Sequence, residues 1–256
     1  MRLLLLNPNT TQTLTDRLAT SARRVLPHQV ELLPITAHEG FPYISSRAEV
    51  QIAGAAVLSM LADRVNSFDA AIIAAFGDPG LDAARELFDL PVVGMSEAAI
   101  LTALALGRRF AFVTFSPWLA PWYEEQVTRT GVESRFAGTF TPNANFCSIS
   151  DVAHDLRQPL TETCRRAATH ADVVILTGAP IAGLARDIAC EVPAVLLDPI
   201  QAAALHAFAL HRLHPLGANA GSFSRPPAKE SAGLPEPLSS WIAWKRSRKK
   251  GQNDST

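Results

Sequence analysis

Short apolar runs alternate along the chain with longer stretches in which apolar and small residues recur at helical spacing. The runs typical of buried strands lie at 2–6, 30–35, 70–74, 91–93, 109–115, 173–176 and 192–197. Between them the pattern predicts helices at 11–25, 45–65, 81–87, 96–106, 118–128, 150–170, 181–188 and 200–213. Regular alternation of strand and helix predicts an α/β fold, in which helices cover both faces of parallel sheets.

The two halves of the chain repeat the same order of predicted strands, small-residue turns and helices. This repeat predicts two pseudo-symmetric Rossmann-like lobes with parallel sheets and an active-site cleft between them. We assign residues 1–95 together with 200–214 to the first lobe, and 96–199 to the second. Residues 215–256 are expected to form an extended C-terminal wrap and a basic tail, because this segment is rich in Gly, Ser and Pro and ends in charges.

The composition argues against several classes of protein. Of the 256 residues, 48% are hydrophobic, and 23 basic residues balance 24 acidic ones. The balance gives no general attraction to nucleic acid or membrane, and no apolar run approaches the roughly 20 residues that span a bilayer. The amino terminus does not resemble a signal peptide, and three cysteines without a CxxC pair favour a cytoplasmic location. The basic run at 245–250 is interpreted as a solvated terminus, and homo-oligomerisation is left open.

Two turns stand where ligands bind in open α/β proteins, at the carboxyl ends of predicted strands. The first is the Ala-Ala-Phe-Gly-Asp-Pro-Gly segment at 74–80, and the second is Thr-Gly-Ala-Pro at 177–180. Helix amino termini at 10–11, 78–79, 116–117 and 177–180 offer backbone N–H groups that can bind a carboxylate or an imide oxygen. These matched turns predict a small-molecule ligand held between two lobes.

No cofactor or metal is expected. Neither a Gly-x-Gly-x-x-Gly nor a Gly-x-x-x-x-Gly-Lys segment is present, and the spacings of His206, His211 and His214 do not give a helical metal pair. Cys164 and Cys190 are interpreted as buried structural residues. Cys147, in a predicted loop, is the least confined of the three cysteines.

Several blocks of the sequence resemble the hydantoin racemases of the aspartate/glutamate racemase superfamily. The blocks are Leu-Leu-Asn-Pro-Asn-Thr-Thr at 5–11, Tyr-Ile-Ser-Ser-Arg-Ala at 43–48, Phe-Gly-Asp-Pro-Gly-Leu-Asp-Ala-Ala-Arg-Glu-Leu at 76–87, Leu-Asp-Pro-Ile-Gln-Ala-Ala at 197–203 and Pro-Pro-Ala-Lys at 226–229. The resemblance extends to about residue 238. It implies two similar α/β lobes and cofactor-independent racemisation or epimerisation of 5-substituted hydantoins, allantoin or related amino-acid derivatives.

The resemblance also implies two cysteines, one after a strand in each lobe, that exchange a proton on opposite faces of the substrate. Thiols suit this task because their pKa can be tuned toward neutrality. In this sequence the matching positions hold Ala75 and Gly178, neither of which can move a proton. The alternatives are therefore a catalytically lapsed ligand-binding or regulatory protein, or a relative that performs proton or decarboxylation chemistry with non-thiol groups.

Two residues are predicted as catalytic in place of the thiols, Asp78 and Thr177. Asp78 has a competing interpretation as the cap of the helix that begins near Pro79, and Thr177 has one as a hydrogen-bond donor to the ligand. Ser96 and Glu97 are further polar candidates near the cleft. The residues predicted to bind substrate are Asn7, Asn9, Thr10, Phe76, Gly77, Ser116, Gly178 and Ala179.

Overall fold

Two parallel four-stranded sheets form the framework of the protein. The computed structural model describes residues 1–144 and 148–244. The first sheet has the strand order β2-β1-β3-β4 and the second the order β6-β5-β7-β8. The strands are β1 (Arg2–Asn7), β2 (Glu31–Thr36), β3 (Ala70–Ile73), β4 (Val92–Gly94), β5 (Phe110–Val113), β6 (Phe136–Phe140), β7 (Val173–Leu176) and β8 (Val195–Leu197).

Helices join the strands and pack on the sheets, as parallel strands require. They are α1 (Gln12–Arg23), α2 (Arg47–Ala62), α3 (Leu81–Leu87), α4 (Met95–Leu106), α5 (Ala120–Thr130), α6 (Val152–Asp155), α7 (Arg157–Ala168), α8 (Leu184–Asp187), α9 (Pro199–Leu213) and α10 (Glu236–Ile242). The predicted α/β fold with two similar parallel-sheet lobes is confirmed. Helix α9 packs against α1, α4, β3 and β4, so the chain returns to the first sheet after completing the second.

The first strand shows why both faces of a sheet are covered. Successive side chains of a strand point to opposite faces. Leu3 and Leu5 enter a core that continues through the second sheet, whereas Leu4 and Leu6 enter a separate core beneath α2 and α3. All four leucines are buried, which explains the unbroken apolar run in the sequence.

The structure corrects four details of the predicted elements. Strand β6 was missed because it is a half-buried edge strand with a central glycine, a pattern that gives little strand signal. The predicted 150–170 helix is two helices, α6 and α7, and the 181–188 helix is reduced to α8. The C-terminal wrap contains α10, which packs on α2 and buries Leu238. Cys147 and the basic run at 245–250 lie outside the described residues.

The described residues were also compared with the requirements for a membrane-spanning helix and for a metal site. Within residues 1–144 and 148–244, none of the helices is long and apolar enough to cross a membrane. The same residues contain no group of three His, Cys, Asp or Glu side chains arranged to hold a metal ion.

Cys164 is buried as expected, but Cys190 is exposed because it lies in a short 3-10 turn after α8, which corrects the prediction for that residue.

The strand order places a potential ligand site in each sheet. In the first sheet the chain leaves β1 toward one edge and β3 toward the other, and β5 and β7 do the same in the second. Such reversals open a crevice at the carboxyl ends of the two central strands. Both predicted turns, 74–80 after β3 and 177–180 after β7, therefore lie at these reversal points.

Candidate functional site

The first turn is organised by the buried side chain of Asp78. The two carboxylate oxygens accept hydrogen bonds from the backbone N–H groups of Ser96, at 2.8 Å, and Glu97, at 2.9 Å. These donors are in the first turn of α4, so Asp78 caps a helix that begins 17 residues later in the chain. The interpretation as a cap of the helix after Pro79 is wrong, since α3 begins after Gly80 without a side-chain cap.

The environment of Asp78 changes its acidity. Burial raises the pKa of the carboxyl to about 6, against the opposing effect of hydrogen bonds from Ser96 and Glu97. The hydroxyl oxygen of Ser96 in turn accepts a hydrogen bond from the Gly77 N–H at 3.2 Å. The turn after β3 and the start of α4 are thus joined by polar contacts in both directions.

Asp78 faces a cavity of about 290 Å³ between α3, α4 and α5. The cavity wall includes two ion pairs, Arg85 with Glu97 and Arg129 with Asp82. Glu97, a polar candidate from the sequence, is therefore held by Arg85. Neither Thr177 nor Gly178 lines this cavity.

The second turn contains Thr177 and Gly178. The Thr177 hydroxyl is buried and donates to the Val113 carbonyl oxygen at 3.2 Å, so it fastens β7 to β5. Gly178 has a φ of +111°, a conformation that residues with a side chain rarely adopt. A Cβ atom at this position would lie 2.9 Å from Cε1 of Phe115 and 3.5 Å from the Tyr123 hydroxyl oxygen.

The predicted contacts from the first loop are largely engaged with one another. The Asn7 amide donates to Asn9 Oδ1 at 3.0 Å and to Thr15 Oγ1 at 2.9 Å. Asn9 Oδ1 also accepts a hydrogen bond from the Thr11 N–H at 3.0 Å, and the Thr10 N–H donates to the backbone carbonyl oxygen of Phe41 at 2.9 Å. The two asparagines shape the loop that leads from β1 into α1.

A cluster of aromatic side chains joins the two lobes at these turns. Phe76 packs on Tyr123 with ring centroids 4.7 Å apart, and Tyr43 packs on Phe115 at 5.8 Å. The indole of Trp122 lies directly over Gly77. We call Tyr43, Phe76, Phe115, Trp122 and Tyr123 the aromatic cluster.

The aromatic cluster accounts for what sequence reasoning missed. Phe76 was predicted as a contact residue, but Phe115, Trp122 and Tyr123 were not. Trp122 and Tyr123 lie on α5, whose helical pattern gave no reason to single them out. One signal was available: the chain has only two tyrosines, and both belong to this cluster.

The remaining predicted residues border the same region. Ser116 is half-buried and precedes the short 3-10 turn Pro117–Leu119 at the end of β5. Ala75 and Ala179 are buried and belong to the core that contains the aromatic cluster. Of the two positions that the resemblance assigns to thiols, Ala75 therefore lies in an apolar setting, and Gly178 lies against the Phe115 ring and the Tyr123 hydroxyl. Asp78 and Thr177 are each hydrogen-bonded to backbone, in separate networks.

The architecture of two α/β lobes with parallel sheets is shared with solved structures of racemases. A family model described as Asp/Glu/hydantoin racemase matches residues 3–207. The chain belongs to this family, and the resemblance inferred from the motifs is confirmed.

Known relatives match the chain over nearly its whole length. It is 31% identical over 234 residues to a hydantoin racemase from Paenarthrobacter aurescens, covering 90% of this chain and 99% of the relative. The solved structure of an allantoin racemase from Klebsiella pneumoniae superposes with a TM-score of 0.86 at 28% identity, covering 93% of this chain and 98% of the other. An allantoin racemase from Pseudomonas fluorescens gives a TM-score of 0.80 at 28% identity, covering 91% and 100%.

Proposed function

We propose that this protein binds a small cyclic ureide, a 5-substituted hydantoin or allantoin, between its two lobes and does not racemise it by a two-thiol mechanism. The ligand class is supported by the similarity to hydantoin and allantoin racemases over almost the entire chain. A five-membered ureide ring is flat and carries alternating carbonyl and N–H groups. Such a ring suits a site made of aromatic faces and a few polar atoms.

The observation that carries the proposal is the backbone at Gly178. The resemblance assigns the second thiol to this position, yet its φ of +111° favours glycine. The ring of Phe115 also lies 2.9 Å from where a Cβ would stand. A proton donor on this face would thus have to come from another residue, and Ala75 supplies none on the other side.

Binding and turnover can be separated in one experiment. The purified protein is incubated in D₂O with a single enantiomer of 5-benzylhydantoin, and in parallel with allantoin. We expect a ligand-dependent rise in melting temperature, because a ligand that binds only the folded state stabilises it. We expect deuterium at the chiral carbon to appear no faster than in protein-free buffer. The absence of any thermal shift or calorimetric signal with both compounds would refute the proposed function.

Racemisation by non-thiol groups is the second candidate function. The observation in its favour is Asp78, because a carboxyl with a pKa of about 6 is a stronger base than an ordinary aspartate. In the same D₂O experiment, exchange well above the protein-free rate would favour this candidate. Loss of that exchange in Asp78→Asn would assign the base.

Restoring a cysteine should have different consequences in the two lobes. We expect Gly178→Cys to lower the free energy of unfolding by about 2 kcal/mol, since the side chain meets both a strained backbone and the Phe115 ring. Ala75→Cys, the matched variant, adds one sulfur atom to a residue that already has a Cβ, and should cost less than about 1.5 kcal/mol. Urea denaturation of both variants measures the difference. Equal stability of the two would contradict this account of Gly178.

A further inference from the structure

The two tyrosines of the chain approach each other from opposite lobes. Tyr43 precedes α2 beside the first sheet, and Tyr123 lies on α5 beside the second. Tyr123 is 2% exposed, and its hydroxyl oxygen lies 3.5 Å from the Cβ position of Gly178. The phenol therefore stands within reach of the space that a side chain at 178 would occupy.

The hydroxyl of Tyr43 is buried, and the nearby Tyr123 hydroxyl interacts with it without forming a hydrogen bond of normal geometry. Within the described residues the Tyr43 hydroxyl has no other polar partner. A buried polar atom without a partner costs free energy, which a bound molecule can recover by supplying the missing hydrogen bond. The Tyr43 ring packs on Phe115, the same residue that lies against Gly178. The hydroxyl of Tyr43 is thus buried near the second turn.

Both phenols remain neutral at any physiological pH. Burial is the main cause that raises the pKa of Tyr43 and of Tyr123, and the neighbouring tyrosine raises that of Tyr43 further. A neutral phenol can donate one hydrogen bond and accept another. Two such groups match an edge that presents both a carbonyl oxygen and an N–H, as a ureide ring does.

We propose that the hydroxyls of Tyr43 and Tyr123, one from each lobe, recognise the polar edge of the ring and determine the specificity for ureides. This inference rests on the proposed function, because it names the residues that select the ligand at that same site. Phe76 and Phe115, each in contact with one of the tyrosines, supply the apolar side of this site.

The test uses the full chain labelled with 3-fluorotyrosine. Because the sequence contains only two tyrosines, the ¹⁹F spectrum reports on this pair alone. Calorimetry first measures the binding of 5-benzylhydantoin to the unlabelled protein. We expect both ¹⁹F resonances to shift as the ligand is added and to saturate at the calorimetric affinity. We also expect Tyr43→Phe and Tyr123→Phe each to weaken binding about tenfold, which is the loss of one hydrogen bond.

A matched control removes another buried hydroxyl that has no partner. Thr139 lies on the edge strand β6, and its Oγ1 makes no hydrogen bond within the described residues. Thr139→Val should leave the affinity for the ligand unchanged. Two outcomes would overturn recognition by the two tyrosines while the proposed function stands. In the first, the wild type binds the ligand but both ¹⁹F resonances stay fixed. In the second, either phenylalanine variant binds the ligand as tightly as the wild type. If the wild type does not bind the ligand, the proposed function is wrong, and so is the recognition by the two tyrosines that rests on it.

Discussion

Replacing Gly77 with alanine is expected to lower the free energy of unfolding by about 4 kcal/mol or to prevent folding. Gly77 has a φ of +108°, and an added Cβ would overlap the six-membered ring of Trp122. Two costs combine, since the alanine is strained in its own backbone and displaces a buried indole that joins α5 to the turn after β3. Because Trp122 and Tyr123 are neighbours on α5, the aromatic cluster would be disturbed as well.

Gly138 provides the matched control for this substitution. It has a φ of +115°, similar to that of Gly77, but nothing lies within 4 Å of the position of an added Cβ. Gly138→Ala should therefore show the backbone strain alone, about 1–2 kcal/mol. Urea or thermal denaturation of both variants separates strain from overlap. Equal losses in the free energy of unfolding would mean that overlap with Trp122 does not contribute to the effect of Gly77→Ala.

The second large effect is a dependence of stability on pH that originates from Asp78. Its pKa in the folded protein is raised to about 6, mainly by burial, whereas an aspartate in an unfolded chain titrates near 3.9. Between these values the folded protein binds more protons than the unfolded chain, so the free energy of unfolding falls as the pH rises from about 4 to about 6. At pH values above both pKa values, the buried charge of Asp78 lowers the free energy of unfolding by a constant amount of about 3 kcal/mol.

The variant Asp78→Asn isolates this effect, because an amide does not titrate. Asp198 is also buried with a raised pKa, but it is present in both proteins and cancels in the comparison. We expect the stability of the wild type relative to the variant to decrease by about 2 kcal/mol between pH 4 and pH 7. Denaturant titrations at intervals of half a pH unit measure the difference. A difference that does not change with pH would show that the Asp78 carboxyl is not desolvated as described.

The fold could be predicted from the sequence because its strands are buried on both faces. Runs such as the four leucines of β1 leave little choice of structure, and the alternation with helices then favours parallel sheets. The edge strand β6 could not be found in this way, since only part of it is buried and Gly138 interrupts the pattern. Helix α10 was missed for a related reason, because its short amphipathic segment follows a stretch of loop residues.

The site could be predicted only in part. Motifs located both turns, because these lie at the ends of predicted strands. The partner of Asp78 could not be read from the sequence, since the α4 backbone that binds it is brought close by the parallel pairing of β3 with β4. The side-chain cluster above the turns depends on how α5 packs against the other lobe, and no local pattern encodes that packing. Asn7 and Asn9 remain predicted substrate contacts, and in the structure their polar groups are hydrogen-bonded within the protein itself.

The bond between Asp78 and α4 has a consequence for charge selectivity. A helix amino terminus is a natural receptor for an anion, but here an internal carboxylate already occupies that of α4. The carboxylate of Glu97 lies in the same turn of helix. An anionic ligand brought to this corner would find the helix terminus already bound by Asp78 and both neighbouring arginines already paired with carboxylates. An uncharged ring does not depend on a free cation or a free helix terminus.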